Sequence, residues 1–177
     1  MALTVAELAD VIRRPEADRA AVVERLRTWT EGGLLASAGE RNPGTGRRRA
    51  YDDAAIYPAA ILNSLADVGL QIGKARYFMV VLLVAERAKD AWARERRADL
   101  YLEVADFVIP NPQGETHAVF LHEGEKHDHL GRLIHPRSEG SYILPVGKLF
   151  ARIEERVKAL TAESSKSPGV PDGPKRS

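Results

Sequence analysis

The fold is decided by residues 4–35, which read TVAELADVIRRPEADRAAVVERLRTWTEGGLL. Thr4 and Glu7 have the spacing of a capping box, in which two side chains satisfy free backbone N–H groups at the start of a helix. This spacing predicts a short helix from about Val5 to Ile12.

A second helix is predicted from about Glu16 to Thr30. The segment Arg13-Arg14-Pro15 separates it from the first helix, because proline disfavours helical geometry in the residue before it. Gly32-Gly33 ends the second helix, since glycine is favoured just after a helix. The apolar spacing predicts a buried stripe of Val22, Leu26 and Trp29, which leaves Glu24, Arg27 and Thr28 on the solvent side.

A basic hairpin is predicted next. Leu34-Leu35-Ala36 and Arg47 to Tyr51 indicate two short strands, and the polar, glycine-rich stretch from Gly39 to Gly46 indicates the connection between them. From Arg41 to Arg49 the chain carries four arginines and no acidic residue. The hairpin therefore has a cationic tip.

Two further helices are predicted before the composition changes. One runs from about Ala54 to Val68, is capped by Asp52 or Asp53, and presents Tyr57, Ile61, Leu65 and Val68 on one face. The other runs from about Lys74 to Arg97 and has the 4-3 spacing of a coiled-coil seam at Tyr77, Val81, Val84, Ala88 and Ala91. That seam indicates either a dimerisation helix or packing against the C-terminal strands.

The C-terminal part is predicted to combine strands with a helix. Leu100 to Ile109, Thr116 to Glu123 and Ser141 to Leu144 indicate strands, and Val146 to Leu160 indicates a helix with Val146, Leu149, Ile153, Val157 and Leu160 inward. The predicted class is α+β, with an N-terminal winged helix-turn-helix, a long linking helix and a small C-terminal β-hairpin plus helix. The expected domains are residues 1–73, 74–98 and 99–162, followed by a disordered tail, 163–177.

Composition and the apolar segments indicate the class of protein and its cellular location. Hydrophobic residues make up 44% of the 177 residues, charged residues 29%, and the formal net charge is +1, all ordinary for a globular protein. The N-terminus lacks the basic region of a signal peptide, and the longest apolar run, Phe78 to Ala85, is too short to span a membrane. A cytoplasmic protein without membrane contact is expected.

Four segments resemble the MerR family in order and spacing: TVAELADVI, LRTWTEGGLL, GRRRAYDDAAI and ILNSLADVGLQIGKA. The resemblance covers about residues 3–78 and implies a recognition helix followed by a DNA-contacting wing. Arg27 stands at the family's recognition-helix arginine, and Arg49 and Tyr51 stand at the arginine and tyrosine of its wing. The segment RRPEAD replaces the family's tight turn between the first two helices.

The resemblance implies a homodimer on double-stranded DNA, with RNA polymerase and an unidentified small-molecule effector as further possible partners. The candidate DNA-binding residues are Arg13, Arg14, Arg27, Thr28, Arg41, Arg47, Arg48, Arg49 and Tyr51. For Arg27 and Thr28 the alternative is an ordinary exposed helix face, and for the wing it is a solvated basic loop. The Tyr51 hydroxyl would either donate to a phosphate or pack.

No enzymatic function is expected. The chain has no cysteine, no glycine-rich phosphate loop after a strand and no nucleophile elbow. Five histidines lie in the C-terminal half, but their spacing is accounted for by ordinary exposed positions, so neither a metal nor a cofactor is expected: His117, His122, His127, His129 and His135. The aromatic residues Tyr101, Phe107, Phe120, Tyr142 and Phe150 would line an effector pocket or form a core.

A second function is compatible with the same winged fold. A DNA-architectural or recombination accessory protein of the excisionase type would bend DNA without acting on transcription directly. Such proteins tend to lack an extended C-terminal domain, whereas about 60 residues of this chain, 99–162, are expected to fold there. The C-terminal domain therefore favours a transcription regulator.

Overall fold

The computed structural model describes residues 2–38, 49–69, 79–111, 114–123 and 141–166. In this part, helices and two small antiparallel sheets form a mixed architecture that is compatible with the α+β class. The elements in chain order are β1 (Leu3–Thr4), α1 (Val5–Ile12), α2 (Arg19–Glu31), β2 (Ala50–Tyr51), α3 (Asp53–Asp67), α4 (Met79–Glu95), β3 (Leu100–Asn111), β4 (Gly114–Glu123), β5 (Ser141–Leu144) and α5 (Val146–Lys166).

Helix α1 has the predicted bounds and the predicted capping box. The backbone N–H of Glu7 donates to Thr4 Oγ1 at 3.3 Å, and the backbone N–H of Thr4 donates to Glu7 Oε2 at 2.7 Å. These bonds satisfy two N–H groups that have no partner inside the helix. The local sequence alone therefore defines where α1 begins.

Helix α2 begins at Arg19, three residues later than predicted. Asp18 is its N-cap and accepts a hydrogen bond from the backbone N–H of Ala20 at 2.9 Å. The Arg19 side chain forms two 2.8 Å bonds to the Asp10 carboxylate on α1, which joins the two helices across their turn. The predicted stripe of Val22, Leu26 and Trp29 is buried, as expected from the spacing.

The predicted strand at Leu34-Leu35-Ala36 is wrong. The backbone N–H groups of Leu34 and Leu35 instead donate to the carbonyl oxygen of Trp29, at 2.8 and 3.2 Å, and so close the end of α2. Strand pairing begins later, where Ala38 forms an antiparallel bridge with Ala50. Strand β2 pairs with β1, and the predicted hairpin tip lies outside the described residues.

Helix α3 is shifted by one residue from its prediction. It begins at Asp53 after the N-cap Asp52 and ends at Asp67, so Val68 leaves the helical geometry and is 45% exposed. Val68 therefore does not share the predicted face with Ile61 and Leu65, which are both buried.

Two of the predicted seam positions have described side chains on α4. Ala88 and Ala91 are buried inside this single chain, which is the packing alternative rather than a dimer seam at those positions. Of the other seam residues, Tyr77 lies outside the described residues, and the side chains of Val81 and Val84 are not described.

The second sheet has the strand order β4-β3-β5, with antiparallel neighbours. Leu102 on the central strand pairs with Leu121 on one side and with Leu144 on the other. Helix α5 then continues to Lys166, beyond the predicted end at Leu160. Residues 163–166, predicted to belong to the tail, are therefore helical, and 167–177 lie outside the described residues.

One hydrophobic core extends from the N-terminal helices to this sheet, and α5 joins its parts. Phe150 on α5 contacts the ring of Tyr57 on α3 edge to face, with 4.7 Å between centroids, and that of Trp92 on α4 at 6.3 Å. One turn later, the Glu154 carboxylate accepts hydrogen bonds from Tyr57 Oη at 3.3 Å, Trp92 Nε1 at 2.9 Å and the Arg96 guanidinium.

This carboxylate makes the stability of the fold sensitive to acid. Burial raises the pKa of Glu154, but hydrogen bonds from Trp92 and the charge of Arg96 outweigh it, so the pKa lies below the ordinary 4.5. A lowered carboxyl pKa stabilises the fold above the pKa of the unfolded chain, and this contribution is lost as the pH falls through the folded value.

We expect wild type to lose more free energy of unfolding than Glu154→Gln when the pH falls below 4.5. Urea unfolding at pH 7 and at successively lower pH measures this difference. Glu155→Gln, at the exposed neighbouring position, is the matched control and should follow wild type. Parallel pH curves for wild type and Glu154→Gln would contradict the expectation.

Candidate nucleic-acid interface

The exposed face of α2 carries the two residues predicted to read DNA. Arg27 and Thr28 are both exposed, as the helical periodicity predicts. Arg27 Nη1 donates to Glu24 Oε1 on the preceding turn at 2.5 Å. Exposed pairs of this kind contribute only about 0.2–1 kcal/mol, so the guanidinium can exchange this carboxylate for another acceptor at little cost.

The arginine that precedes β2 lies against the end of α2. Arg49 Nη2 donates to Glu31 Oε1 at 2.9 Å, and the Arg49 side chain is only 18% exposed. Arg49 therefore holds the second arm of the predicted wing beside α2. The other predicted wing arginines, Arg41, Arg47 and Arg48, lie outside the described residues.

Tyr51 is part of the core. Its side chain is fully buried, and its hydroxyl lies 2.9 Å from the hydroxyl of Thr30 on α2. Thr30 in turn bonds to the carbonyl oxygen of Leu26 at 2.8 Å. Of the two roles considered for Tyr51, this is the packing role: the residue joins β2 to α2 and does not belong to the exposed surface.

The turn between α1 and α2 holds the other two predicted arginines. Arg13 is half-buried and bonds to the Asp10 carboxylate at 3.4 Å and to the carbonyl oxygen of Pro15 at 3.3 Å. Arg14 Nε lies 3.5 Å from Asp67 Oδ2 at the end of α3. Both arginines are therefore positioned by neighbouring acceptors at the start of α2.

Three further arginines beside this turn were missed by sequence reasoning. Arg25 on α2 shares the Asp67 carboxylate with Arg14, at 2.5 Å. Arg156 on α5 donates to main-chain carbonyl oxygens of Val11 at 3.0 Å and Arg13 at 2.5 Å. These carbonyls close α1 and have no partner inside the helix.

The third missed residue is Arg152, one turn before Arg156. Burial, together with the nearby charges of Arg156 and Arg14, lowers the pKa of the Arg152 guanidinium. The spacing of Arg152 and Arg156 places both on one side of α5, which is the only signal that the sequence contains. Nothing in the sequence brings them to the turn between α1 and α2.

These contacts place arginines on two flanks of α2. Positions 25 and 31 differ by six residues, which is about 120° around a helix axis, and position 28 falls about midway between them. Arg25 and Arg14 meet on the first flank, and Arg49 contacts Glu31 on the second. The exposed Thr28 therefore lies between two arginine-bearing edges.

The aromatic residues considered as the lining of an effector pocket belong to elements other than α2. Phe150 belongs to the core, and Tyr142 is 42% exposed, whereas the side chains of Phe107 and Phe120 are not described. A cleft of about 340 Å³ lies instead between α3 and α5, lined by Asp53, Ile56, Tyr57, Arg96, Ile153, Glu154, Val157 and Lys158. The predicted effector pocket among the C-terminal strands stays a prediction.

The described residues contain no cluster of metal-ligating side chains, since no three His, Cys, Asp or Glu converge there. His122 Nε2 lies 2.9 Å from Oε2 of the buried Glu103, and the histidines at 127, 129 and 135 lie outside the described residues. No helix within the described ranges is long and apolar enough to cross a membrane.

Comparison of the sequence with protein-family models gives no match, and comparison with curated proteins finds no similar sequence.

Proposed function

We propose that this protein is a sequence-specific DNA-binding transcription regulator that places α2 in the major groove. The observation that carries the proposal is the exposed face of α2, on which Thr28 lies between two arginine-bearing edges and Arg27 lies just beyond the edge at Glu31. Its length of 13 residues, its caps at both ends and its buried opposite stripe make it a rigid element.

The chemistry of this surface suits DNA. The major groove is about 12 Å wide, admits one helix and is bordered on both sides by phosphates. Arginine forms two parallel bonds to guanine or to phosphate, and a bidentate contact to a base discriminates by about 1–3 kcal/mol. This exceeds what an exposed pair such as Arg27 with Glu24 contributes, so Arg27 would exchange the carboxylate for a base edge.

The resemblance to the MerR family extends this proposal. Helix α1 would correspond to the family's first helix and α2 to its recognition helix, and an antiparallel bridge joins Ala38 to Ala50 on either side of the predicted wing tip. A single recognition helix reads few base pairs, so two copies on adjacent half-sites are expected. The protein would then act as a homodimer that distorts promoter DNA for RNA polymerase.

Fluorescence anisotropy with DNA from upstream of its own gene, titrated across salt, tests the proposal. We expect binding whose logarithm falls linearly with that of the salt concentration, because each phosphate contact releases counterions. Replacing Arg47, Arg48 and Arg49 by alanine should reduce the slope by roughly 2–3, at about 0.9 for each lost phosphate contact.

A control variant that loses the same number of positive charges elsewhere shows whether the change in slope reflects only the lower net charge. Arg87, Arg94 and Lys148 are exposed and lie on α4 and α5, so their triple alanine variant should retain the wild-type slope. Equal slopes for wild type and the Arg47/Arg48/Arg49 variant would remove the wing from the interface. If the folded wild type binds no DNA at low salt, the proposed function is wrong.

A further inference from the structure

The cleft between α3 and α5 combines an apolar floor with a charged, open rim. Ile56 on α3 and Ile153 on α5 line the cleft and are buried, so they form its floor. Tyr57 and Val157 also line it and are only partly buried. The volume of about 340 Å³ lies within the range of small-molecule sites, which is roughly 300–1,000 Å³. The cleft therefore has room and apolar surface for a small ligand.

Two cationic side chains that line this cleft are open to solvent. The side chain of Arg96, in the connection between α4 and β3, is 57% exposed, and Lys158 on α5 is exposed as well. Arg96 bonds to Glu154, and Lys158 lies one turn after Glu154 on the same side of α5. A ligand in the cleft can therefore reach both cationic groups without any change in the core.

The fold accounts for the carboxylates of the cleft better than for its cationic groups. Glu154 accepts three hydrogen bonds, one of them from Arg96. Asp53 lies in the first turn of α3, where the helix dipole stabilises a negative charge. Lys158, by contrast, forms no ion pair with a described carboxylate, and Arg96 shares its carboxylate with two other donors. The charge that remains unmatched at the rim is positive.

The backbone of Arg96 provides a second, independent observation. Arg96 directly follows the last residue of α4 and has a φ of 53°, in the left-handed region that glycine favours at helix ends. No other residue besides glycine has a positive φ in the described ranges. Residues held in this region at a cost in free energy are concentrated in functional sites. Glycine would satisfy the end of α4, so what the arginine adds is a guanidinium at the rim of the cleft.

We propose that the cleft binds a small monoanion with an apolar body, of the class of aromatic carboxylates. The ligand carboxylate bonds to Arg96 and Lys158, and its ring packs against Tyr57 and Val157. Arginine offers a carboxylate two parallel N–H groups, and lysine adds a compact charge. The site goes beyond the proposed function, because no step of its argument uses α2 or DNA.

Three probes of similar shape separate the contribution of charge from that of apolar contact. Phenylacetate is an anion, phenylacetamide is neutral and phenethylamine is a cation. Each is titrated into the full chain labelled with ¹⁵N, and the indole N–H resonances are followed. Trp92 reports on the cleft because its Nε1 donates to Glu154 at 2.9 Å, whereas Trp29, the other tryptophan, lies in the core against the N-terminal helices and is the internal control.

We expect phenylacetate to shift the Trp92 resonance in a saturable manner, with a dissociation constant of about 0.1–1 mM, as for ligands of about ten non-hydrogen atoms. Phenylacetamide and phenethylamine should bind at least about tenfold more weakly, since neither supplies the negative charge. The Trp29 resonance should stay in place.

Two variants of the cleft and one matched control locate the site. Lys158→Met removes an exposed charge, and Arg96→Gln removes the other while keeping an amide that can bond to Glu154. Each should weaken phenylacetate binding by about fivefold or more. Lys148→Met, which is also exposed on α5 but lies outside the cleft lining, should bind as wild type does. Thermal unfolding of each variant verifies that it is folded.

The outcomes decide for or against the anion site. Saturable binding of phenylacetate that both cleft variants weaken and Lys148→Met retains would support it. Tighter binding of phenethylamine would show that Asp53 and Glu154 dominate the cleft, and the anion site would be overturned. It would also be overturned by equal affinity of Lys158→Met and wild type, or by an unshifted Trp92 resonance at about 10 mM phenylacetate, well above the expected constant.

Discussion

Gly147→Ala is expected to lower the free energy of unfolding by about 2 kcal/mol or more, in the range of overpacked cores. Gly147 is the second residue of α5, where the helix crosses the connection between α4 and β3. A Cβ atom there would collide with the carbonyl oxygen of Arg97 and come within 2.8 Å of the carbonyl carbon of Ala98. Both obstacles are main-chain atoms, so a side-chain rotation cannot relieve them.

The expected loss of stability is opposite in sign to the usual effect of replacing glycine by alanine in a helix. At an open helical position the same substitution stabilises by about 1 kcal/mol, because alanine has the higher helix propensity. Urea unfolding followed by circular dichroism measures the change, with Lys148→Ala at the next, exposed position as the control. A Gly147→Ala protein as stable as wild type would show that α5 does not pack closely against the α4–β3 connection.

Phe150→Ala is expected to cost about 3–5 kcal/mol, the range for deletion of a buried aromatic ring. Phe150 has no exposed surface and contacts Tyr57 and Trp92, so its ring joins α5 to both α3 and α4. Domains of this size have unfolding free energies of about 5–15 kcal/mol, so the loss is a large part of the total.

Phe150→Leu is an intermediate substitution, and its free energy of unfolding can be compared with those of wild type and Phe150→Ala. It retains apolar volume but loses the edge-to-face contacts, so we expect a loss smaller than that of alanine. Chemical unfolding of the three proteins should therefore give the order wild type, leucine variant, alanine variant. If Phe150→Ala lowers the free energy of unfolding by less than about 1 kcal/mol, the packing of α5 against α3 and α4 does not depend on this ring.

The sequence predicts best where neighbouring residues decide the structure. The capping box of Thr4 and Glu7 defines the start of α1, and the stripe of Val22, Leu26 and Trp29 identifies the inner face of α2. The predicted start of α2 is three residues early, because the N-cap is Asp18 and the helix begins after it. Leu34 and Leu35 resemble a strand in composition, yet their backbone bonds close α2.

The sequence predicts least where contacts join distant residues. Tyr51 is a candidate for phosphate contact by its position in the sequence, but its actual neighbour is the hydroxyl of Thr30, 21 positions away. Arg156 reaches the end of α1 across more than 140 positions. No periodicity reports such contacts, since they depend on how α5 returns over the N-terminal helices.

Selection from fragments of the protein's own genome would show whether α2 reads a DNA sequence. Fragments would be bound at physiological salt with excess non-specific competitor, recovered with the full chain and sequenced. We expect enriched fragments that share one two-fold symmetric motif, and loss of that enrichment in the double variant Arg27→Ala/Thr28→Ala. Recovery of no shared motif by the folded wild-type protein, or equal enrichment by the double variant, would contradict sequence reading by α2.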